Sequence, residues 1–260
     1  MKLYYKRYGS GDPLIILHGL LGSSDNWVTI GRRLAENFTV YIPDQRNHGL
    51  SPHSQIFNYH VMADDMMEFI LDHDIETTIL IGHSMGGKVA MTFTLDNPSH
   101  VEKLVVVDIS PRAMAVRDDH LRIIRAMEAV DFNRITTRAE AEEIIAGAIK
   151  EERIRLFILK NLHRISHDRL GWRINLQAIH DNLECMSEGI ESKRPYQNPV
   201  LFVKGGLSDY IAADDLPLIK KLFPQAIIHT IANATHWVNA DKPDAVCRVL
   251  SRFLGRERAV

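Results

Sequence analysis

The sequence predicts an α/β protein with a mostly parallel sheet, helices on both faces of that sheet, and a helical cap inserted into it. Short runs of β-branched and other apolar residues alternate with helical patterns over about the first 110 residues. These runs are apolar on both faces, which is typical of parallel strands buried between helices. The alternation stops near residue 111 and resumes near residue 195.

The individual elements follow from these patterns. Strands are predicted at 13–17, 38–42, 77–81, 101–107, 199–203 and 225–231. Helices of the sheet domain are predicted at 25–36, 62–71, 89–95 and 237–253. Within the insertion only helices are predicted, at 120–130, 138–149, 151–165 and 172–185.

The interruption also predicts the domain organisation. Residues 1–110 and 195–260 are expected to form one core domain, because the strand pattern after the interruption continues the pattern before it. Residues 111–194 are expected to form the cap. No internal repeat or low-complexity tract suggests a further division of the chain.

The composition excludes several classes of function. The chain has 260 residues, 45% hydrophobic and 25% charged, which is ordinary for a globular protein with a full core. A net charge of −2 provides no general attraction for nucleic acid or an anionic membrane. Neither a signal peptide nor a run of the ~20 apolar residues that span a bilayer is expected.

The two cysteines, Cys185 and Cys247, form no CxxC pair and are expected to be reduced thiols. Together with the composition, this favours a cytoplasmic enzyme that acts on a small molecule. A monomer or a small homo-oligomer is expected, without a nucleic-acid partner and without membrane insertion.

The segment Gly82-His83-Ser84-Met85-Gly86 has the spacing Gly-x-Ser-x-Gly. The pattern alone arises often by chance, but here it directly follows a buried strand and opens a helix, as a nucleophile elbow does. The two glycines allow a tight turn that raises the Ser84 hydroxyl above the sheet. The helix start places N–H groups beside a developing anion. Ser84 is therefore predicted to be a nucleophile.

The segment His18-Gly19-Leu20 follows the strand at 13–17. Acyl transfer needs two N–H donors aimed at the oxyanion, one directly after the nucleophile and one from a neighbouring loop. The N–H groups of Met85 and Leu20 are predicted to be these donors.

A serine nucleophile needs a base, and in this kind of fold the chain order is serine, acid, histidine. His236 follows the last predicted strand and precedes the terminal helix, where a loop can bring it over Ser84. It is the predicted general base. His18, His48 and His83 are interpreted as residues that stabilise turns.

Two carboxylates compete for the role of the acid. Asp108 ends the strand at 101–107, on the edge where parallel sheets place their sites. Asp209 follows the next strand beside Ser208. Successive side chains of an extended chain point in opposite directions, so Ser208 and Asp209 are not expected to face the histidine together. Asp108 is favoured, with Ser208 as a supporting hydroxyl and Asp209 as the alternative.

These motifs resemble those of the YbfF-type esterases, small bacterial α/β hydrolases related to mitochondrial abhydrolase-domain proteins. The similarity runs nearly end to end, and its markers are the segments 18–23, 44–51, 82–88, 107–111 and 236–238. The resemblance implies an α/β-hydrolase fold whose helical cap forms a crevice. It also implies hydrolysis of carboxylic esters or thioesters, including acyl-CoA-like substrates.

The resemblance carries over to particular residues. An aspartate before the cap and a serine after it assist the family's serine and histidine, and Asp108 and Ser208 match these positions. A tyrosine and an arginine help to anchor the substrate. Tyr210 matches the tyrosine, and Arg117 is a near match for the arginine.

Two residues depart from the family pattern. Asn47 lies in the segment 44–51, at a position where most α/β hydrolases with the Asp-x-Arg motif of that segment carry glycine. Thr235 replaces the glycine that is usual directly before the histidine. The second departure concerns the shape of the loop and leaves the base in place.

The predicted mechanism is acyl transfer through a covalent intermediate, which requires no metal or cofactor. A serine at the elbow argues against the dehalogenase and epoxide-hydrolase branches, which use an aspartate there. Three alternatives stay open: a carbon–carbon bond hydrolase of the same fold, a cofactor-free haloperoxidase of that fold, and a ligand-sensing protein that turns over slowly. Acyl length and the choice between ester and thioester also stay open.

Overall fold

The computed structural model describes residues 1–167 and 169–255. Its strands are β1 (Tyr5–Tyr8), β2 (Asp12–Leu17), β3 (Phe38–Pro43), β4 (Thr78–His83), β5 (Val101–Val107), β6 (Leu162–Ser166), β7 (Arg169–Trp172), β8 (Val200–Gly205) and β9 (Ala226–Ile231). Its helices are α1 (Val28–Leu34), α2 (Tyr59–Asp72), α3 (Met85–Asp96), α4 (Asp118–Glu128), α5 (Arg138–Ala148), α6 (Glu152–Ile158), α7 (Leu176–Asp181), α8 (Leu216–Leu222), α9 (Val238–Asp241) and α10 (Pro243–Leu254).

Seven strands form one sheet in the order β1-β3-β2-β4-β5-β8-β9. The six strands from β3 to β9 in this order run parallel, and β1 pairs antiparallel with β3 at the edge. The predicted α/β class with a mostly parallel sheet is confirmed. The carboxyl ends of all six parallel strands therefore lie along one edge of the sheet.

The two faces of the sheet are buried under different helices. On one face, strand side chains such as Ile16 and Val105 pack with apolar residues of α1 and α10. On the other face, side chains such as Leu80 and Val106 pack with α2, α3 and parts of the segment between β5 and β8. Burial on both sides explains why the central strands read as continuous apolar runs. No described helix has the combination of length and apolarity that crossing a bilayer requires.

Strand β1 was not predicted from the sequence. Its residues, Tyr5-Lys6-Arg7-Tyr8, are half-buried or exposed, because β1 lies at the edge of the sheet and pairs with β3 only. An edge strand can keep polar side chains in water, so it lacks the apolar run by which the central strands are recognised.

The segment between β5 and β8 contains helices α4 to α7, but the prediction that it is helical throughout is wrong at one place. Strands β6 (Leu162–Ser166) and β7 (Arg169–Trp172) pair antiparallel there, where the end of a helix was expected. The Trp172 indole N–H donates to the Met127 carbonyl of α4 at 3.1 Å, which anchors the strand pair to a helix. Tertiary contacts of this kind override local helical propensity.

The predicted helix at 172–185 is shorter in the structure, where α7 begins after Asn175, whose side chain caps it by accepting from Ala178 N. The predicted terminal helix at 237–253 is divided into α9 and α10. Pro243 causes the division because it lacks an N–H, so it occupies the first turn of a new helix.

Gly86 offers a test of the packing around the start of α3, and Gly147 of α5 is its control. A Cβ at Gly86 would approach the carbonyl oxygens of Leu17 and His18 to 2.5 and 2.6 Å, whereas a Cβ at the exposed Gly147 of α5 would meet nothing within 4 Å. We expect Gly86→Ala to lower the free energy of unfolding by about 2 kcal/mol or more, since backbone must move. Gly147→Ala should raise it by about 0.5 kcal/mol, because alanine favours helix.

Urea unfolding followed by circular dichroism measures both values. A Gly86→Ala protein as stable as the wild type would show that α3 does not approach β2 as closely as described.

Candidate active site

The residues predicted to carry the chemistry come from the ends of five parallel strands. Ser84 follows β4, Asp108 follows β5, Ser208 lies just beyond β8, His236 lies beyond β9, and Leu20 lies beyond β2. Because these strands share one direction, all five loops meet at the carboxyl edge of the sheet.

Ser84 occupies a strained turn between β4 and α3. Its backbone has φ 51° and ψ −118°, in the region that side chains rarely adopt, at a cost of about 1–3 kcal/mol. The turn is held by the Ser84 N–H, which donates to the Val107 carbonyl at 3.0 Å. Gly82 permits the close turn, because a Cβ there would lie 2.1 Å from the Gly86 oxygen.

His236 lies between Ser84 and Asp108. Its Nε2 is 2.9 Å from Ser84 Oγ, and its Nδ1 is 2.9 Å from Asp108 Oδ2. A carboxylate accepts only, so Nδ1 carries the proton and Nε2 is left as an acceptor for the serine hydroxyl. The arrangement therefore places Nε2 of His236 within hydrogen-bond distance of the Ser84 hydroxyl.

Asp108 is fully buried and has three hydrogen-bond donors. Gly205 N donates to Oδ1 at 2.7 Å, while the Ser208 hydroxyl and the His236 ring donate to Oδ2. A buried carboxylate is tolerated only when such donors replace its water. The backbone of Asp108 has φ 51°, and its N–H donates to the Val203 carbonyl at 2.8 Å. This bond to β8 holds the backbone of Asp108 as well as its side chain.

Asp209 pairs with Arg117, and no hydrogen bond joins it to His236 in the described part of the chain. Its side chain is 72% exposed, and both oxygens accept from Arg117 Nη1, at 3.0 and 3.1 Å. The Arg117 guanidinium lies 4.7 Å from the centre of the Tyr210 ring, and that ring stacks on the His236 ring with centroids 3.6 Å apart. Burial raises the pKa of the Tyr210 phenol to about 12, so the stacked ring is neutral at neutral pH.

Leu20 and Met85, the predicted oxyanion donors, both line the cavity that Ser84 enters. Met85 is the first residue of α3, so its N–H has no partner within the helix. In the described part of the chain, neither N–H donates to a protein acceptor. Both are therefore free to donate to a bound oxygen atom.

Three buried histidines support the loops around this site. His18 Nε2 accepts from Gln45 N at 3.0 Å, and His48 Nε2 accepts from Leu21 N at 3.1 Å. His83 Nε2 lies 2.9 Å from the backbone oxygen of His236, so it holds the loop of the candidate base. This contact was not predicted, since the residue between glycine and serine in Gly-x-Ser-x-Gly carries no sequence signal of what it touches.

Asn47, which stands where glycine is usual, has φ 65°. Asparagine tolerates this left-handed conformation better than other side chains do. Its amide oxygen accepts from Ser54 N at 2.7 Å, and its backbone oxygen accepts from Asn175 N at 2.9 Å. Asn47 thus connects the loop beside the site to the start of α7.

Thr235, the other departure from the family pattern, fastens the loop of His236 to α9. Its N–H and hydroxyl both donate to Asp241 Oδ2, at 2.8 and 2.6 Å. Asp241 also pairs with Arg153 of α6, whose guanidinium lies 5.6 Å from the Trp237 ring. This chain of contacts was not predicted, because it joins residues 235–241 to Arg153, which is far away in the sequence.

Two cavities meet at Ser84. The first, of about 60 Å³, is called here the methionine cavity and is lined by Met85, Met114, Met186, Leu20, Tyr59, Lys88, Ile109, Ala115, Val116, Arg117, His120, Leu183, Ser187 and Tyr210. The second, of about 280 Å³, is called the tryptophan cavity, and its walls include Trp27, Trp237, Ile30, Ile123, Phe157 and His236. Ser84, Leu20 and His120 border both.

Comparison with known proteins agrees with this architecture. Residues 12–138 match the family model described as the alpha/beta hydrolase fold. The chain belongs to the α/β-hydrolase family and, within it, to the YbfF-type esterases, so it is a hydrolase of the esterase and lipase class.

Particular relatives fit this assignment. The chain is 36% identical to esterase YbfF of Escherichia coli, over 94% of each protein. It is 43% identical to the sn-1-specific diacylglycerol lipase ABHD11 of Danio rerio, over 90% of this chain and 76% of the relative. A solved structure of a marine microorganism esterase superposes with a TM-score of 0.94 at 42% identity, covering 97% of this chain and 99% of that one.

The buried histidines predict sensitivity to acid. Burial lowers the pKa of His48 and of His83 from 6.5 to about 3, so the folded protein keeps them neutral at pH values where the unfolded chain binds protons. The free energy of unfolding should therefore fall as pH decreases below 6.5, by up to about 1.4 kcal/mol per pH unit for each histidine.

Urea unfolding at several pH values between neutrality and mild acid measures this slope. His48→Gln should make the slope shallower, whereas His60→Gln, at a histidine whose side chain is 78% exposed, should leave it unchanged. Equal slopes in the wild type and His48→Gln would contradict the burial argument.

Proposed function

We propose that this enzyme hydrolyses small-molecule carboxylic esters or acyl thioesters through an acyl-enzyme intermediate on Ser84. The observation that supports this most directly is the unbroken line of hydrogen bonds from Ser84 through His236 to Asp108, with 2.9 Å at each step. The names of the relatives, which are esterases and lipases, favour ester hydrolysis over carbon–carbon bond cleavage.

In the first half of the reaction, His236 Nε2 takes the proton of the Ser84 hydroxyl as Oγ attacks the carbonyl carbon of the substrate. The carbonyl oxygen becomes an oxyanion that accepts from the N–H groups of Leu20 and Met85. The protonated His236 then gives its proton to the leaving oxygen or sulfur atom. The alcohol or thiol departs, and the acyl group remains on Ser84.

In the second half, water takes the place of the alcohol. His236 accepts a proton from the water, whose oxygen attacks the acyl carbon, and the same N–H groups hold the second oxyanion. Collapse of this intermediate returns the proton to Ser84 Oγ and releases the carboxylic acid. The protein's own residues supply every proton transfer.

Asp108 is proposed to keep the proton of His236 on Nδ1 and to stabilise the imidazolium that forms in each half-reaction. Ser208 and Gly205 N support this role, because their hydrogen bonds hold both carboxylate oxygens in place. Tyr210 and Arg117 are proposed to contact the substrate, since both line the methionine cavity beside Ser84.

Removal of the candidate nucleophile tests the whole proposal. We expect Ser84→Ala to lower kcat/KM for p-nitrophenyl esters by about a thousandfold or more, because covalent catalysis is lost. Ser192→Ala is the matched control, since Ser192 lines neither cavity at Ser84 and its hydroxyl donates to the Arg194 carbonyl of its own loop. Mass spectrometry after treatment with a fluorophosphonate should locate the label on Ser84. An active Ser84→Ala enzyme, or a label elsewhere, would refute the mechanism.

A pair of aspartate variants tests which carboxylate orients His236, Asp108 or Asp209. Asp108→Asn should lower kcat by a factor of about 10²–10⁴, since an amide favours the wrong tautomer of His236. Asp209→Asn should change kcat no more than a few-fold, because its carboxylate is exposed and pairs with Arg117. The reverse order of effects would assign the role to Asp209.

A matched ester and thioester with the same acyl group test the range of leaving groups. Since His236 can protonate either oxygen or sulfur, we expect both to be hydrolysed, and both activities to disappear together in Ser84→Ala. Hydrolysis of the ester alone would restrict the enzyme to oxygen esters.

A further inference from the structure

The two cavities at Ser84 differ in size, in lining and in their position relative to His236. These differences bear on which part of an ester each cavity receives. Such an assignment of the cavities rests on the proposed function, because it takes Ser84 as the attacking group and His236 as the proton donor.

The position of His236 sets the direction of the substrate. The leaving atom must receive its proton from His236 Nε2, so it has to lie on the side of Ser84 where His236 is exposed. His236 lines the tryptophan cavity and does not line the methionine cavity. The alcohol or thiol therefore extends into the tryptophan cavity, and the acyl chain extends the other way, past the Met85 N–H into the methionine cavity.

The methionine cavity is small, and two of the side chains that line it are held by buried hydrogen bonds. Lys88 is 2% exposed, and its ammonium donates to the carbonyl oxygens of Pro111 at 3.2 Å, Arg112 at 2.6 Å and Glu188 at 2.9 Å. These carbonyls belong to the two segments that leave and re-enter the sheet domain around the insertion.

The Tyr59 hydroxyl, also in the lining, donates to the Met186 carbonyl at 2.6 Å. An acyl chain too long for this volume would have to displace these side chains, and each buried donor left without an acceptor is costly. Flexible methionine side chains on the walls allow small differences in acyl shape, but they do not lengthen the cavity.

The tryptophan cavity is between four and five times larger, at about 280 Å³ against about 60 Å³. Its walls carry the aromatic side chains of Trp27, Phe157 and Trp237, and the Phe157 and Trp237 rings meet edge to face with centroids 4.3 Å apart. Asn239 and Lys160 add polar groups to the lining. Such a cavity suits a bulky, mostly apolar group with a polar end.

We propose that the enzyme divides its substrate at the scissile bond: a short acyl group occupies the methionine cavity, and a large, mostly apolar alcohol or thiol occupies the tryptophan cavity. The favoured substrates are then short-chain acyl esters of bulky alcohols, and long-chain fatty acyl esters of small alcohols are disfavoured. Leu183 limits the acyl side and Ile123 limits the alcohol side, as each lines one cavity only.

Two series of esters test the division, one varying the acyl group and one the alcohol. From benzyl butyrate to benzyl octanoate, kcat/KM should fall by about tenfold or more. From methyl acetate to 2-naphthylmethyl acetate, it should be maintained or rise. A higher value for the octanoate than for the butyrate, or exclusion of the naphthylmethyl ester, would overturn the proposal.

Two variants should each change the selectivity for one part of the ester, the acyl group in one case and the alcohol in the other. Leu183→Ala should raise the octanoate-to-butyrate ratio by about tenfold and leave the naphthylmethyl-to-methyl ratio as it is. Ile123→Phe should lower the naphthylmethyl-to-methyl ratio and leave the acyl ratio as it is. Thermal unfolding confirms that each variant is folded, and ratios within one variant are independent of the fraction of active enzyme.

The outcomes distinguish a failure of the proposed mechanism from a failure of the cavity assignment. If Ser84→Ala stays active, the proposed mechanism itself fails. If Ser84 is required but Leu183→Ala changes the alcohol ratio instead of the acyl ratio, then ester hydrolysis stands and the assignment of the two cavities is reversed.

Discussion

The common direction of six parallel strands is the constraint on which the rest of this molecule depends. Because the strands run the same way, their carboxyl ends lie along one edge, and loops far apart in sequence meet there. Ser84 and His236 are 152 residues apart, yet their side-chain atoms are 2.9 Å apart. A single reversed strand would take its loop to the opposite edge of the sheet and separate one of these side chains from the others.

At that edge, the buried Asp108 imposes the strictest demands. A carboxylate with no exposed surface must find its hydrogen-bond donors within the protein, and here they come from β8, from the loop after it and from the loop after β9. The requirement for satisfied hydrogen bonds therefore also orients His236. The loop of His236 has two further supports. His83 contacts the backbone oxygen of His236, and Thr235 donates to Asp241.

The sequence predicted the parallel sheet because strands buried on both faces must be apolar throughout, and it singled out Ser84 because a glycine-flanked serine between strand and helix is a local pattern. Features created by long-range contacts could not be read in this way. The pair of strands β6 and β7 is stabilised by its contact with α4, and the edge strand β1 has no apolar run. The His83 contact, the Arg153–Asp241 pair and the two cavities likewise exist only after distant segments have packed together.

The left-handed residues at the carboxyl edge have a consequence for how this protein can be altered. Of the six described residues other than glycine with positive φ, five lie in the loops around the site: Leu21, Asn47, Ser84, Asp108 and Asn233. Each stores some conformational strain that glycine would relieve. Relief at Ser84 or Asp108 would remove the side chain that the reaction is proposed to use. Thermostability in this scaffold is thus limited by its own chemistry at this edge, and engineers gain more by changing the outer helices than by relaxing these loops.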